Sequence, residues 1–333
     1  MSNEDTSSPT VMTESVLLTS AIEAKEGRCV VTLDIPNAFV QTPIEDKDKD
    51  GDRYIMKIRG QMVKMLSIMD PSTYDDYITK EGNQDVLYVH VRKALYGMLI
   101  SALRFYLKLR KDLEDIGFKI NPYDECVANK MIDGKQFTVC FHVDDLKASH
   151  ANESVVEDFV RWVKEKYGKE REVTVNREKE HTYLGMTIRY DEDGSVVIDM
   201  VDYVEDMIDE FPVELKGTIT TPANDSLFKS VDSKALSKQR SEVFHTYVAK
   251  ALFLAKRGRP DILPTVAFLC TRVTQSTEQD WHKLCRMMDF LKRTKKEVLR
   301  IRIEHEDLIW SVDAAFAVQQ NSEFRSSLRR QTP

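Results

Sequence analysis

The sequence has no apolar run near the roughly eighteen residues that a membrane-spanning helix needs, and no basic-then-apolar signal segment opens it. Its five cysteines form no CxxC pair and its seven histidines are scattered, so we predict no zinc site. Isolated cysteines in odd number are typical of buried thiols in a reducing compartment. We therefore expect a cytoplasmic chain with no membrane partner.

Positive charge is also scarce overall, because the chain of 333 residues has a net charge of −7. However, the window from Tyr247 to Arg302 contains thirteen Lys or Arg and only five Asp or Glu. Such asymmetry is typical of a surface that contacts a phosphate backbone, the alternative being the solvated face of a basic helix. The candidate nucleic-acid contacts in this window are Lys283, Arg286, Lys292, Arg293, Lys295 and Lys296.

Two apolar runs, far apart in the chain, each end on carboxylates. Val30–Leu33 leads into Asp34, and Val139–Val143 leads into Asp144 and Asp145. Adjacent residues of a strand point to opposite faces, so the chain should turn at Asp144 if both carboxylates act together. If the two strands are neighbours, three carboxylates converge at the strand ends, where they suit Mg²⁺ ions bound jointly with a phosphate substrate. Taken alone, an Asp-Asp pair is more often a solvated turn.

Several short motifs accompany these sites. Leu33–Phe39 is LDIPNAF, Lys93–Met98 is KALYGM and Phe141–Asp145 is FHVDD. Further motifs are Gly117-Phe118 with Asp124, YLG at Tyr183–Gly185, ALFLA at Ala251–Ala255, RPDI at Arg259–Ile262 and LKRT at Leu291–Thr294. They resemble, respectively, the LDxxNAF, KALYGL, YVDD, GF…D, FLG, LLYLA, RPDI and LKGT motifs of copia-type retrotransposon reverse transcriptases.

The resemblance implies an α+β fold: a right-hand polymerase palm, built as an antiparallel sheet backed by helices, with reduced fingers and a helical thumb/connection region. The predicted domains are a disordered N-terminus (1–10), a palm/fingers core (11–215), a linker (216–240), a helical thumb/connection region (241–306) and a truncated RNase H remnant (307–333). Local patterns add an exposed insertion from Asp70 to Gly82 and a helix from Ala94 to Ile116.

The implied activity is RNA-directed DNA polymerisation, in which a dNTP is joined to a primer 3′-hydroxyl by two-metal nucleotidyl transfer. Asp34, Asp144 and Asp145 would be catalytic and would hold two Mg²⁺ ions, or Mn²⁺, together with the backbone carbonyl of Ile35. Phe39 would lie under the incoming sugar and exclude a 2′-hydroxyl. The implied partners are an RNA or DNA template with its primer, deoxynucleoside triphosphates and other parts of the retrotransposon polyprotein. A virus-like particle and the nucleus join the cytoplasm as expected locations.

Two substitutions depart from the family within the expected nucleotide and primer sites. Ile100 takes the place of a Gln near the nascent base pair and cannot make its hydrogen bonds. His142 takes the place of the Tyr expected near the primer terminus. Before Asp34 only Lys25 and Arg28 are basic, so the fingers hairpin that would hold the triphosphate is expected to be missing.

The residues after Asp313 indicate whether the predicted RNase H remnant could be active. Asp313 resembles the first metal ligand of an RNase H domain, but Glu323 is the only later acid, so RNase H activity should be absent. The chain is therefore interpreted as a polymerase fragment truncated at both ends. The alternative is a catalytically inactive retroelement remnant that at most binds nucleic acid. A two-metal nuclease is a third hypothesis, but it would not explain Lys93–Met98.

Overall fold

The computed structural model describes residues 7–44, 53–229 and 233–305. In these ranges the chain forms two compact units. The first contains Cys29–Asn176 and residues before Val16, and the second contains Val16–Arg28 and residues from Arg177 onward. The mixture of helices and sheets agrees with the α+β class. The predicted linker, residues 216–240, belongs to the second unit, whereas the predicted RNase H remnant with Asp313 lies outside the described residues.

The first unit is built around a six-stranded sheet. Helix α1 (Thr13–Glu26) precedes it and belongs to the second unit from Val16 onward. The other elements of the first unit are β1 (Cys29–Asp34), β2 (Ile55–Arg59), α2 (Gln61–Met69), α3 (Pro71–Tyr74), β3 (Ile78–Glu81), β4 (Gln84–His90), α4 (Ser101–Asp115), β5 (Lys119–Ile120), β6 (Val127–Ile132), β7 (Lys135–His142), β8 (Asp145–His150), α5 (Glu153–Tyr167) and β9 (Thr174–Asn176), with 3-10 helices at Phe39–Gln41 and Asp75–Tyr77. The strand order in the large sheet is β5-β6-β7-β8-β1-β9, and every neighbouring pair is antiparallel.

The large sheet has an apolar face that packs on α4 and α5. Phe141 of β7 stacks on Tyr106 of α4 with ring centroids 6.0 Å apart, and Phe137 meets Phe159 of α5 edge to face at 5.3 Å. In both helices the buried residues recur every three or four positions, which places them on one face. Truncating a ring such as Phe159 to alanine would cost about 3–5 kcal/mol. This packing fixes the sheet that carries the strand-end carboxylates.

Two local predictions for the first unit need revision. The helix predicted from Ala94 begins only at Ser101, because Gly97 has a φ of +91° and Ser101 Oγ donates to the Leu95 carbonyl at 2.6 Å. The segment 70–82 is largely exposed, as expected, but it contains α3 and β3. Strand β3 completes a three-stranded antiparallel sheet of order β2-β4-β3.

The second unit pairs a four-stranded sheet with helices. Its elements after α1 are β10 (Glu180–Tyr183), β11 (Met186–Tyr190), β12 (Ser195–Asp199), α6 (Val201–Asp209), α7 (Lys238–Arg257), α8 (Leu263–Cys270), α9 (Glu278–Arg293) and β13 (Leu299–Arg302), with a 3-10 helix at Pro260–Ile262. The sheet order is β10-β11-β12-β13. Among the helices, Phe211 stacks on Trp281 at 5.9 Å and meets Tyr247 edge to face at 4.8 Å. The region predicted to be helical, residues 241–306, therefore also supplies an antiparallel strand, β13, to the edge of β12.

A buried carboxylate anchors the start of the predicted linker. Asp289 of α9 accepts hydrogen bonds from four consecutive backbone N–H groups, those of residues 216–219, at 2.6 to 3.0 Å. Burial raises the pKa of the Asp289 carboxyl, but the four donors outweigh it and hold the pKa below its usual value. Lys292 adds a bond to the Leu215 carbonyl at 2.7 Å. Residues 215–219 are therefore held against α9.

Two of the sequence motifs meet in the second unit. The buried guanidinium of Arg259, in the RPDI motif, pairs with Asp261 through two bonds of 2.8 and 2.9 Å. It also donates to the carbonyl and the hydroxyl of Thr294, in the LKRT motif, at 3.0 and 2.7 Å. These two motifs thus join the end of α9 to the turn after α7. No helix in the described ranges is both long and apolar enough to cross a bilayer.

Candidate active site

The first carboxylate stands at the end of β1. Residues 30–33 are buried and Asp34, the last residue of the strand, is exposed. In the antiparallel pairing of β1 with β8, Asp34 lies directly opposite Asp145. Side chains of directly opposed residues share a face of the sheet, with Cβ atoms about 5 Å apart. The two strands are neighbours, as the sequence predicts, and two of the three carboxylates face each other across them.

The second carboxylate lies in the turn between β7 and β8. His142 pairs with Asp145, so Val143 and Asp144 alone form the connection. Val143 has a φ of +54°, an unfavourable conformation for a β-branched residue. The Asp144 carbonyl accepts a hydrogen bond from the Ile35 N–H at 3.0 Å. The turn expected at this point is present, and it is tied to the residue that follows Asp34.

Asp144 and Asp145 are close enough to Asp34 for its negative charge to affect their pKa values. Burial raises the pKa of the Asp144 carboxyl and the charge of Asp34 raises it further, while the backbone N–H of Asp144 and the side chain of His142 act in the opposite direction. Burial also raises the pKa of Asp145, with additional repulsion from Asp144 and Asp34. A cation placed among these groups would relieve that repulsion and favour the ionised carboxylates.

The donor atoms are of the type that Mg²⁺ prefers, namely carboxylate and carbonyl oxygens. However, the described part of the chain contains no group of three or more His, Cys, Asp or Glu side chains placed to hold one ion. The carboxylates are thus neighbours on the sheet without forming a closed ligand cluster. In proteins, Mg²⁺ commonly completes its coordination with substrate phosphates and water, so an open arrangement of carboxylates does not conflict with Mg²⁺ binding.

The sheet face that carries Asp34 and Asp145 has further polar side chains toward the middle of the strands. Register places Thr32 opposite Lys147, and Val30 opposite Ser149, on this face. Lys147 and Ser149 are fully buried, with 1% and 0% of their surface exposed. Sequence reasoning missed this row, although the alternation of Asp145, Lys147 and Ser149 is itself a sequence signal.

The predicted sugar contact, Phe39, lies in a small apolar cluster. The cluster is centred on Ile44, Val91 and Ala94, and both Phe39 and Ile100 pack against it. The Phe39 ring contacts the ring of Tyr96, with centroids 4.7 Å apart, a contact that sequence reasoning did not predict. Tyr96 belongs to the KALYGM motif, so this motif contacts Phe39. The structure thus brings together two of the three predicted nucleotide contacts.

The third predicted nucleotide contact, Ile35, has a side chain with no exposed surface. The burial includes the backbone, so the Ile35 carbonyl is not exposed to solvent in this structure, and its role as a metal ligand stays a prediction. His142, predicted to contact nucleic acid, is half-buried, and its Nδ1 atom is shielded from solvent with no hydrogen-bond partner in the structure.

Four of the six predicted phosphate contacts are engaged within the second unit. Lys283 donates to the Lys229 carbonyl at 3.0 Å, Arg286 to Thr221 Oγ1 at 2.9 Å, Lys292 to the Leu215 carbonyl at 2.7 Å, and Lys295 pairs with Glu205 at 2.7 Å. Arg293 and Lys296 are exposed, and neither forms an ion pair with another described residue. Much of the basic window therefore holds residues 215–229 and α6 in place.

The comparison with protein families is decisive at this point. The model of the family described as reverse transcriptase (RNA-dependent DNA polymerase) matches residues 1–225. The chain belongs to the reverse transcriptase family. The match includes all three carboxylates, whereas the six cations of the basic window lie beyond it.

Solved structures add a distant likeness. One match is to telomerase from Candida albicans in complex with a TWJ fragment of telomeric RNA, at 10% sequence identity and a TM-score of 0.33. It covers 85% of this chain, and this chain spans about half of the telomerase, 49%.

Proposed function

We propose that this member of the reverse transcriptase family is the RNA-directed DNA polymerase region of a copia-type retrotransposon polyprotein. It would join deoxynucleoside triphosphates to a primer 3′-hydroxyl on an RNA or DNA template. The observation that carries the proposal is that Asp34 lies directly opposite Asp145 at the ends of β1 and β8, with Asp144 in the turn that joins β7 to β8. The proposed location is the cytoplasm, a virus-like particle or the nucleus, in company with other parts of the polyprotein.

In this proposal each substructure has a role in polymerisation. The six-stranded sheet with α4 and α5 acts as the palm, and the three-stranded sheet with α2 acts as reduced fingers. Helices α7 to α9 act as the thumb or connection region.

The carboxylates of Asp34, Asp144 and Asp145 and the carbonyl of Ile35 would hold two Mg²⁺ ions, with Mn²⁺ as a substitute. When bound, such ions activate the primer hydroxyl and stabilise the charge of the triphosphate and of the pyrophosphate. The protein contributes position: β1 and β8 hold Asp34 opposite Asp145, and the Ile35 N–H bond to Asp144 fixes the turn beside them. No protein nucleophile is needed.

Sugar selection is assigned to Phe39. Its ring contacts the ring of Tyr96 at 4.7 Å and packs against the cluster of Ile44, Val91 and Ala94, which limits its movement on those sides. A rigid ring under the sugar excludes ribose by steric contact. In contrast, Ile100 offers no hydrogen bond to a base pair, so base recognition here would depend on shape and stacking.

Primer extension tests the proposal directly. The full chain is incubated with a poly(rA)–oligo(dT) duplex, dTTP and Mg²⁺, and product length is measured on a denaturing gel. We expect extension by the wild type and none by Asp34→Asn, which keeps the shape of the side chain but removes its charge. Extension by both proteins would show that the activity comes from elsewhere.

The second candidate function is a catalytically inactive remnant that at most binds nucleic acid. Two observations favour it: no closed group of metal-ligating side chains exists in the described residues, and Ile100 cannot hydrogen-bond to a base pair. Filter binding of the same duplex without any extension, in Mg²⁺ and in Mn²⁺, would establish this function in place of the first.

A further inference from the structure

One side chain ties together two distant parts of the first unit beside the candidate site. The amide nitrogen of Gln41 donates to the Pro36 carbonyl at 2.6 Å and to the Tyr167 carbonyl at 2.9 Å. Gln41 is the last residue of the 3-10 helix that begins at Phe39. Both hydrogens of one amide group are thus used to join the segment after Asp34 to the end of α5.

The bond to Pro36 constrains the backbone next to the first carboxylate. On the N-terminal side, the Ile35 N–H is bonded to the Asp144 carbonyl at 3.0 Å. On the C-terminal side, the Pro36 carbonyl is held by Gln41. Between them lies the peptide group that carries the Ile35 carbonyl, and the Pro36 ring fixes φ there. Few backbone rotations remain by which this carbonyl could turn.

The other acceptor is rigidly held. Tyr167 is the last residue of α5, where helix carbonyls lack partners within the helix. Its hydroxyl donates to the Asp112 carboxylate at 2.6 Å, and Lys108 and Lys166 also bond to Asp112, at 2.7 and 2.9 Å. Tyr167 is completely buried. Gln41 therefore links the segment to a fixed point of the helical layer.

The same segment carries Phe39. The Thr42 N–H donates to the Phe39 carbonyl at 2.8 Å, and the Thr42 hydroxyl donates to the Ala38 carbonyl at 3.1 Å. These local bonds make residues 38–42 a compact turn, so a displacement of Gln41 would move the Phe39 backbone with it. After the turn, the Ala94 N–H donates to the Thr42 carbonyl and the Ile44 N–H to the Arg92 carbonyl, both at 2.9 Å, which holds the C-terminal end of the segment. The bond from Gln41 to Tyr167 is the link from the turn itself to α5.

We propose that Gln41 is a positioning residue, which fixes the backbone between Asp34 and Phe39 and so places both the Ile35 carbonyl and the Phe39 ring. The consequence for sugar selection rests on the proposed polymerase function. The consequence for the backbone does not, and it is measured independently of activity. Gln41 would touch neither substrate nor reacting atoms and would act through Ile35 and Phe39.

The test replaces Gln41 by Met, which has similar length but no donor. The matched control is Gln136→Met, since within the described ranges the Gln136 amide donates to the side chains of Asn129 and Thr138 on the sheet and to no backbone carbonyl. Hydrogen exchange is followed by mass spectrometry in the peptide covering residues 35–44, together with the melting temperature. We expect at least tenfold faster exchange in Gln41→Met, with no change in Gln136→Met.

The second measurement is the ratio of kcat/KM for dTTP to that for UTP in primer extension. We expect Gln41→Met to lower this ratio about tenfold, whereas loss of stability alone would lower both rates equally. Unchanged exchange in residues 35–44 would overturn the proposal. Faster exchange with an unchanged ratio would overturn the link to sugar selection. If the wild type incorporates no nucleotide, the proposed function fails, and exchange alone decides whether Gln41 holds the segment.

Discussion

The buried carboxylate of Asp289 gives the sharpest prediction for the second unit. In Asp289→Asn, one oxygen still accepts two of the four backbone N–H bonds, but the new NH₂ group faces the other two donors. Two charge-assisted bonds of about 1.5–3 kcal/mol each are lost, partly offset because a charge no longer has to be buried. We therefore expect the free energy of unfolding to fall by about 3 kcal/mol, roughly a hundredfold in the equilibrium constant.

The sign of the pH dependence follows from the lowered pKa of Asp289. The contribution of the carboxylate is fully present above the usual aspartate pKa of about 3.9 and is lost as pH falls through the lower pKa of the folded state. The difference between wild type and Asp289→Asn should therefore be constant near neutral pH and shrink in acid.

The assay is urea unfolding followed by tryptophan fluorescence, since Trp281 lies on the same helix as Asp289. Hydrogen exchange of residues 216–219 reports the local effect. The control is Asp225→Asn, an exposed aspartate whose side chain makes no hydrogen bond to the described part of the chain. If Asp289→Asn stays within about 0.5 kcal/mol of the control, the four backbone bonds do not stabilise the fold and the reasoning is refuted.

Three further outcomes are expected. Asp144→Asn should abolish synthesis while duplex affinity, measured by filter binding, stays nearly unchanged; an equal loss of both would make Asp144 structural. Replacing the exposed pair Arg293 and Lys296 by Ala should make the slope of log affinity against log salt shallower by up to about two units, at about 0.9 per phosphate. Lys179→Ala, at the residue before β10, is the control, and a slope unchanged by the double substitution would mean that the pair is only solvated. Arg259→Lys should cost about 2 kcal/mol in urea unfolding, because an ammonium cannot reproduce the paired bonds to Asp261 together with those to Thr294; wild-type stability in this variant would contradict that role.

The strand-end carboxylates were predictable because their signal is local. Residues 30–33 and 139–143 are mostly apolar runs of strand length, and Asp34 and Asp144 follow them directly. If the two strands pair, their terminal carboxylates must lie close together, and this was the prediction. Strand β13 was missed for the opposite reason. Leu299–Arg302 is a four-residue stretch of alternating apolar and basic residues, and its partner β12 lies about a hundred residues earlier, where no local pattern reveals it.

The cations of the basic window illustrate another limit. The density of positive charge in the sequence identifies Lys283, Lys292 and Lys295 as hydrogen-bond donors, but it does not identify the groups to which they donate. Two of their partners are backbone carbonyls, of Lys229 and Leu215, which every residue possesses and which therefore leave no trace in composition. Gln41 is similar, since both of its acceptors are carbonyls. Tertiary structure alone decides such partners.

The pairing of β13 with β12 has a practical consequence for anyone who divides this chain. The family match ends at residue 225, yet the outer strand of the second sheet is contributed by Leu299–Arg302. A shortened chain ending near residue 225 would leave the backbone N–H and C=O groups of β12 without partners along one edge, beside the buried side chains of Val196, Val197 and Ile198. An uncovered apolar edge strand is a template for intermolecular strand addition. Such a piece should aggregate, whereas one that extends past Arg302 keeps this edge closed.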